Sequence, residues 1–259
     1  MHQEFIDKLL QTIKSDERIL GLAVGGSWIS KEIDAYSDVD LVLITREKIS
    51  ADPWQMKDFA AGFGKLLSAF TGEHVGEPRL LICLYDEPLL HVDIKFLTID
   101  EFYHRVEDPV IVYDPEGQLE KVLAGSEALF PQPDHQWIED RFWTWVHYAC
   151  LKIGRGELME AVDFLAYLRM MVLGPLLLQK NGHLARGVRK VETLLPADEL
   201  NKLKATLAAR NKEAVIEALK KAVALYIELR NSLYKNIRMQ EATQKRVFDY
   251  LQDLKSGRQ

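Results

Sequence analysis

The sequence predicts a fold that begins as an α/β or α+β domain and continues as an all-α helical bundle. Two observations point to it. Short apolar strands alternate with helices in the first half, whereas only 3.6-residue periodicity follows Pro131-Gln132-Pro133. Residues 1–133 also hold 24 Asp and Glu against 12 Lys and Arg, and the remaining residues hold 15 against 21. We therefore predict two domains with different roles, a catalytic domain at 1–133 and a substrate-binding helical domain at 134–259.

Apolar spacing and turn signals predict the elements of the first domain in order. Phe5, Ile6, Leu9 and Ile13 recur at helical spacing, and continuous apolar runs bounded by turn residues indicate strands. The predicted elements are a helix over residues 5–13, strands at 19–24 and 39–44, a helix at 54–70, strands at 80–85 and 89–97, a short helix opened by a capping box at 98–101, and a fifth strand at 110–113.

The second domain contains no alternating apolar pattern, and its long amphipathic segments predict helices packed into a bundle. The predicted helices cover residues 134–154, 157–180, 187–195, 197–208, 213–237 and 241–254.

Composition excludes several classes of protein. With 259 residues, 47% of them hydrophobic and 28% charged, the chain can form a large core and does not resemble a disordered or collagen-like protein. A net charge of −6 argues against a general nucleic-acid binder. The longest apolar run, residues 170–178, is too short to span a membrane and contains Gly174-Pro175. No secretory leader is visible, so we expect a cytoplasmic protein without a membrane partner.

The most informative local pattern combines a Gly-Ser turn with two spaced carboxylates. The first predicted strand ends at Gly25-Gly26-Ser27, where glycine permits close backbone approach and the serine hydroxyl and free amides can hold a phosphate. Asp38 and Asp40 begin the next strand, and strand periodicity places both carboxylates on one face. Taken singly, the turn and the Asp-x-Asp pair are more often ordinary turn and capping residues.

A third carboxylate, Asp93, lies in a later predicted strand. Three carboxylates on one sheet repel one another unless divalent cations neutralise them. Two-metal phosphoryl transfer uses such an arrangement, in which one ion activates the attacking oxygen and the other stabilises the leaving oxygen. The ordered set of turn, Asp-x-Asp pair and strand-borne Asp is therefore far more specific than its parts.

This ordered set resembles the signature of the polymerase-β-type nucleotidyltransferase superfamily, and the two-domain layout is most similar to the antibiotic adenylyltransferases. The resemblance implies a mixed-sheet catalytic domain in which Gly26 and Ser27 hold the nucleotide triphosphate. It also implies that Asp38 and Asp40 bind Mg²⁺ and that Asp93 completes the metal site or assists deprotonation. Trp28 departs from the pattern, since many relatives carry a small or basic residue there.

The segment from Phe142 to Leu165 is similar to the helical-domain segment of streptomycin-type adenylyltransferases. The resemblance makes the carboxylate of Asp163 a candidate base. Helical spacing places Asp163 in a row with Met159 and Met170, which predicts a carboxylate among apolar side chains. It therefore serves as a base or substrate anchor, or forms a buried ion pair with an arginine such as Arg155 or Arg169.

Positive charge for the triphosphate has two candidate sources. Lys95 shares a strand face with Asp93, where it can pair with that carboxylate or reach a phosphate. Arg189 belongs to a basic cluster with Arg186 and Lys190, which is usually a solvated helix face. The chain contains no Walker-type or dinucleotide-binding glycine motif and no zinc-ligand spacing.

The sequence thus predicts a Mg²⁺-dependent nucleotidyltransferase that moves AMP from ATP to a hydroxyl of a small cationic or polyol acceptor, with Asp93 or Asp163 as the base. The resemblance favours an aminoglycoside, and the acidic first domain attracts a cation. The alternatives are the same chemistry on a lincosamide, another polyol or a protein side chain, and a catalytically silent nucleotide-binding regulatory protein. We expect a monomer or homodimer.

Overall fold

The computed structural model describes residues 1–50, 52–209 and 211–256. The chain divides into two compact units, Met1–Phe130 and Pro131–Gln259, which we call the N-terminal and C-terminal units. The N-terminal unit contains α1 (His2–Ile13), β1 (Ile19–Val24), α2 (Ser27–Ser30), β2 (Val39–Thr45), α3 (Pro53–Ala61), β3 (Lys65–Gly72), β4 (Glu77–Asp86), β5 (Leu90–Leu97), α4 (Ile99–Phe102), β6 (Val110–Tyr113) and α5 (Gln118–Gly125).

The strands form one mixed six-stranded sheet in the order β3-β4-β5-β2-β1-β6. Strands β2 and β5 pair in parallel, and the other neighbours pair antiparallel. A parallel pair needs a crossover connection, and here α3, β3 and β4 supply it. The mixed sheet with its helices, followed by a helical C-terminal part, confirms the predicted fold class.

The two faces of the sheet differ because side chains alternate along each strand. On one face, buried residues such as Leu41, Val92 and Leu81 pack with α1 and α3 in the main core of the unit. On the other face, Ile44 and Leu97 are covered by residues of α4 and α5. Those helices cover one end of this second face, whereas Asp40 lies toward the other end and is half-buried.

One predicted element is wrong. The helix expected over residues 54–70 ends at Ala61, and β3 begins at Lys65. The apolar spacing from Leu66 to Phe70 fits a helix as well as a strand, and pairing with β4 decides the outcome. The strand at 110–113 is consequently the sixth of the sheet.

The C-terminal unit is helical throughout its described residues. It contains α6 (His135–Gly154), α7 (Leu158–Leu168), a π-helical segment (Arg169–Leu173), α8 (Gly174–Lys180), α9 (Val191–Leu194), α10 (Ala197–Lys204), α11 (Lys212–Leu233) and α12 (Glu241–Ser256). Asp134 caps α6 by accepting a hydrogen bond from the amide of Trp137. Apolar side chains of α6, α7, α8, α11 and α12 form a single core.

The segment Leu158–Lys180 is long and apolar enough to cross a membrane by length and composition. More than half of its most apolar stretch is buried inside the fold, as in the core helix of many globular proteins.

Candidate active site

Asp40 and Asp93 lie directly opposite each other on the parallel strands β2 and β5. Paired residues point to the same face of a sheet, and neighbouring strands are about 4.8 Å apart. The two flanking pairs, Val39 with Val92 and Leu41 with Ile94, point to the buried face. The sheet register therefore sets two carboxylates side by side on the half-buried face, within reach of one cation.

The Gly-Ser turn adjoins this carboxylate pair. Gly25 follows β1, and its amide donates to the carbonyl of Asp40 at 2.8 Å. Gly26 has a φ of 58°, and a Cβ placed there would lie 1.8 Å from Oδ2 of Asp40. Position 26 therefore requires glycine for two reasons: its backbone conformation is one that other residues avoid, and a side chain there would clash with the carboxylate of Asp40. Ser27 begins α2 directly after this turn.

A compact turn positions the segment that leads into Asp38. Oδ1 of Asp34 accepts hydrogen bonds from the amide of Tyr36 at 2.8 Å and from Oγ of Ser37 at 3.1 Å. These bonds lower the pKa of Asp34, the Tyr36 amide having the largest effect. Nε2 of His2 lies 2.7 Å from the carbonyl oxygen of Ser37 and attaches the turn to α1. Asp38 follows, half-buried, immediately before β2.

Other polar side chains of β5 share the face of Asp93. Nε2 of His91 lies 2.9 Å from Oδ1 of Asp93. Nζ of Lys95 pairs with Glu77 at 2.7 Å. Arg79 and, to a smaller extent, Lys95 lower the pKa of Glu77 to about 2, so Glu77 stays ionised at neutral pH. Lys95 lies two residues beyond Asp93, as predicted, but it already has an anionic partner.

The carboxylates suit a magnesium ion that reaches the protein with a nucleotide. Within the described part of the chain, no three His, Cys, Asp or Glu side chains form a group that could hold a metal ion. Mg²⁺ is usually bound by one or two carboxylates together with waters and substrate phosphates. Asp40 and Asp93 offer two hard oxygen ligands of that kind beside the Gly26 turn. The residues therefore fit the ion, and the three-ligand set with Asp38 stays a prediction.

Asp163 belongs to the C-terminal unit, and its surroundings differ from those expected. It is exposed, and so are Met159 and Met170, at 82% and 49%, so their shared row is not apolar interior. Arg155 pairs with Glu157, and Arg169 donates to the carbonyl of Thr206. The interpretation of Asp163 as half of a buried ion pair with either arginine is therefore wrong.

Asp163 instead lines a hollow of about 510 Å³ between α6 and α7. The residues that line it are mainly aromatic or acidic: Thr144, Trp145, Tyr148, Glu160, Asp163, Phe164 and Tyr167. The Tyr148 hydroxyl donates to Glu160, and Lys152 pairs with Glu160 at 3.0 Å. Both contacts lower the pKa of Glu160, the hydroxyl having the larger effect. A hollow with aromatic walls and carboxylates suits a cationic ligand.

Two further sequence expectations concern single residues. Arg189 is exposed in the C-terminal unit, so its assignment to the triphosphate stays a prediction. Trp28, the departure from the family pattern, packs partly buried against the main core of the N-terminal unit. That packing explains how the turn accommodates a bulky residue.

Sequence reasoning missed Glu107. A Cβ placed on Gly25 would lie 3.9 Å from Oε1 of Glu107, so this carboxylate reaches the Gly-Ser turn. Arg105 secures the loop by binding Asp108 at 2.5 Å and the carbonyl of Ser126 at 2.7 Å. No motif marks Glu107, because the loop meets the turn only through the tertiary fold.

Three solved structures similar to this chain cover nearly all of it, although all have low identity and low structural similarity. The first is an aminoglycoside 6-adenyltransferase from Bacillus subtilis, with 16% identity, 98% of both chains covered and a TM-score of 0.43. The second is a spectinomycin adenyltransferase from Enterococcus faecialis with ATP and spectinomycin, with 11% identity, 98% of this chain and 100% of that chain covered and a TM-score of 0.36. The third is a nucleotidyltransferase-like protein from Exiguobacterium sibiricum, with 12% identity, 97% of this chain and 89% of that chain covered and a TM-score of 0.37. No curated protein matches the sequence.

The family comparison is decisive because it extends over almost the whole chain. The model of the streptomycin adenylyltransferase family matches residues 1–254. The match includes the Gly-Ser turn, the paired carboxylates and the helical C-terminal unit. The chain thus belongs to the streptomycin adenylyltransferase family and is a nucleotidyltransferase.

Proposed function

We propose that this enzyme transfers AMP from ATP to a hydroxyl of a small cationic acceptor, an aminoglycoside in the first instance, with Mg²⁺ and with release of pyrophosphate. The observation that carries the proposal is the pairing of Asp40 with Asp93 beside the Gly26 turn. Two adjacent carboxylates repel each other, and a divalent cation that arrives with a nucleotide relieves that repulsion. The turn provides backbone amides and the Ser27 hydroxyl for phosphate oxygens.

In the proposed reaction the acceptor oxygen forms a bond to the α-phosphorus of ATP. The bond from that phosphorus to the bridging oxygen breaks, and pyrophosphate leaves with the electron pair. Asp38 and Asp40 would hold Mg²⁺, and Asp93 would either complete the metal site or assist deprotonation. The ion would neutralise phosphate charge in the transition state. Gly26 and Ser27 orient the β- and γ-phosphates. The hydroxyl proton passes to a carboxylate, for which Asp93 and Asp163 are the candidates.

Charge supports a cationic acceptor. Residues 1–133 carry twice as many acidic as basic side chains, and an acidic surface attracts cations from solution. In the C-terminal unit, Asp163 adds an exposed carboxylate to an aromatic hollow. A sugar or cyclitol that bears ammonium or guanidinium groups matches both features. The assignment of ATP, the cytoplasmic location and the monomeric or homodimeric state remain predictions.

The test supplies purified enzyme with Mg²⁺, each nucleoside triphosphate in turn, and a panel of aminoglycosides, spectinomycin and lincosamides. Pyrophosphate release is followed, and mass spectrometry measures whether the mass of the acceptor increases by that of an AMP group. We expect release with ATP and an aminoglycoside, and at least a hundredfold loss for Asp40→Asn and for Asp38→Asn. Asp58→Asn, an exposed carboxylate on α3, is the matched control and keeps full rate.

The outcomes separate the alternatives. Pyrophosphate release with lincosamides but with no aminoglycoside would identify a lincosamide as the acceptor and leave the proposed chemistry unchanged. Undiminished release from Asp40→Asn contradicts the role of the carboxylate pair. The absence of release with every acceptor favours a modified protein side chain or a catalytically silent nucleotide-binding protein, and labelling of cell proteins with radioactive ATP distinguishes these two.

A further inference from the structure

The carboxylate row continues across the sheet into apolar side chains. Asp40 is paired with Asp93, Asp93 with Ile82, and Ile82 with Phe70 at the edge of the sheet. Because directly paired residues point to the same face, these four side chains form one row across four strands. Two strand spacings place Phe70 about 10 Å from Asp93.

A second row runs parallel to the first. Leu84 is paired with His91 on one side and with Ser68 on the other. We use the name apolar platform for Phe70, Ile82 and Leu84. The platform lies next to Asp93 on the same face of the sheet and entirely within the N-terminal unit.

The platform is open to solvent on this face. Phe70 is 49% exposed and Leu84 36% exposed, whereas Leu81 and Cys83, which alternate with them on β4, are buried. The ring of Phe70 contacts that of His74 at a centroid distance of 5.7 Å, which supports it from one side. Adjacent exposed apolar side chains beside a candidate site form a surface on which a ligand can pack.

The geometry of phosphoryl transfer determines which ligand belongs there. The attacking and leaving oxygens lie roughly in line on opposite sides of the phosphorus. Gly26 adjoins Asp40 at one end of the row, so a triphosphate held by the Gly-Ser turn places its leaving pyrophosphate at that end. The acceptor then approaches from the opposite direction, over Asp93 and the apolar platform.

We propose that the apolar platform binds a ring of the acceptor and positions its hydroxyl for attack, with Phe70 as the main determinant of acceptor affinity. The chemical class is a saturated sugar or cyclitol ring that carries ammonium or guanidinium groups. The C–H face of such a ring packs on Phe70 and Leu84, and a cationic substituent gains a cation–π contact with the phenyl ring. This inference rests on the proposed function and names the acceptor-binding surface for it.

The test compares Phe70→Ala and Phe70→Tyr with Trp54→Ala. Trp54 is an exposed aromatic residue on α3, a helix that packs against the opposite face of the sheet, and it serves as the matched control. With streptomycin or spectinomycin as acceptor, Phe70→Ala is expected to raise the acceptor KM about tenfold and to change the ATP KM less than twofold. Phe70→Tyr, which keeps the aromatic ring, is expected to raise the acceptor KM much less than Phe70→Ala does, and Trp54→Ala retains the wild-type values.

Calorimetric titration of the same acceptors, with a non-hydrolysable ATP analogue present, measures binding without turnover. A wild-type protein that binds an acceptor but transfers no AMP contradicts the proposed function, and the loss of affinity in Phe70→Ala still decides the inference. Equal acceptor affinity in wild type and Phe70→Ala overturns the inference. It is also overturned if wild type binds no acceptor, or if light scattering shows that Phe70→Ala changes only the oligomeric state, since the platform is then an interface between copies.

Discussion

The N-terminal and C-terminal units hold their central carboxylates in different environments. Glu139 on α6 is 0% exposed, and its oxygens accept hydrogen bonds from four groups. The donors are Nε1 of Trp143 at 3.3 Å, the Tyr226 hydroxyl, a guanidinium nitrogen of Arg230 at 3.3 Å and the amide of Gln240 at 3.0 Å.

Asp40 and Asp93, by contrast, are half-buried and directly opposite each other, a placement that is unfavourable for two like charges. Arg230 neutralises Glu139 within the fold, whereas Asp40 and Asp93 are two neighbouring acids whose mutual repulsion a bound divalent cation would lower. The difference teaches that burial of an acid does not identify a functional site. The informative feature is a pair of neighbouring acids that strand register places on one partly exposed face, beside the Gly-Ser turn.

The largest expected effect is on kcat/KM, and it tests the face of the sheet that carries Asp40 and Asp93. Gly26→Ala is expected to lower kcat/KM more than a hundredfold, because the new Cβ displaces the carboxylate of Asp40. The free energy of unfolding of this variant is expected to fall by about 3 kcal/mol, because a φ of 58° with a ψ of −133° is a conformation that residues other than glycine avoid. Steady-state kinetics and urea unfolding measure the two effects.

Gly117→Ala is the control for a glycine at positive φ whose substitution causes no clash. Gly117 has a φ of 65° and lies in the left-handed helical region, and a Cβ there meets no atom within 4 Å. The variant is expected to lose less stability than Gly26→Ala, about 1 kcal/mol, and to keep an unchanged kcat/KM. Equal kcat/KM values for the Gly26→Ala and Gly117→Ala variants would show that Asp40 is not part of the active site.

The second-largest expected effect is on stability, and it tests Glu139, a buried acid of the C-terminal unit. Glu139→Ala is expected to lower the free energy of unfolding by about 3 kcal/mol, because it leaves the Arg230 guanidinium buried without its partner. Asp140→Ala, which removes an exposed carboxylate from the same helix, is expected to lower it by less than about 1 kcal/mol. Denaturant unfolding measures both.

The double variant Glu139→Leu with Arg230→Met is expected to recover only part of that stability. It removes the unpaired guanidinium, but the donors of Trp143, Tyr226 and Gln240 still lack their acceptor. If Glu139→Ala is no less stable than Asp140→Ala, then Glu139 does not stabilise the fold, and its proposed difference from the acids of the N-terminal unit is wrong.

The smallest effect concerns Asp163. Because this side chain is exposed and, among the described residues, makes no ion pair or hydrogen bond, Asp163→Asn is expected to change the free energy of unfolding by less than about 0.5 kcal/mol. If it anchors a cationic acceptor, the acceptor KM rises a few-fold. Single-turnover rates of Asp163→Asn and Asp93→Asn decide between the two candidate bases, and the base is the residue whose loss slows the chemical step more.

Local pattern predicted much of the N-terminal unit. Strands β1 and β2 and the Gly-Ser turn between them follow from short-range periodicity and turn chemistry. The shared face of Asp38 and Asp40 stays a prediction, because Asp38 lies just before β2. The capping box at Thr98 was also readable, since capping is a contact between near neighbours. The assignment of β3 to a helix failed because its spacing fits both structures.

The sequence by itself determined the fold class, the order of the site residues and the division of charge between the halves, because these depend on composition and on neighbours along the chain. Only the tertiary structure decided that Asp40 and Asp93 are register partners and that Phe70 extends their row. It also decided that Glu107 reaches the Gly-Ser turn and that Glu139 is buried among the helices whereas Asp163 is exposed. These facts depend on strand register and helix packing between distant segments, which no local pattern records.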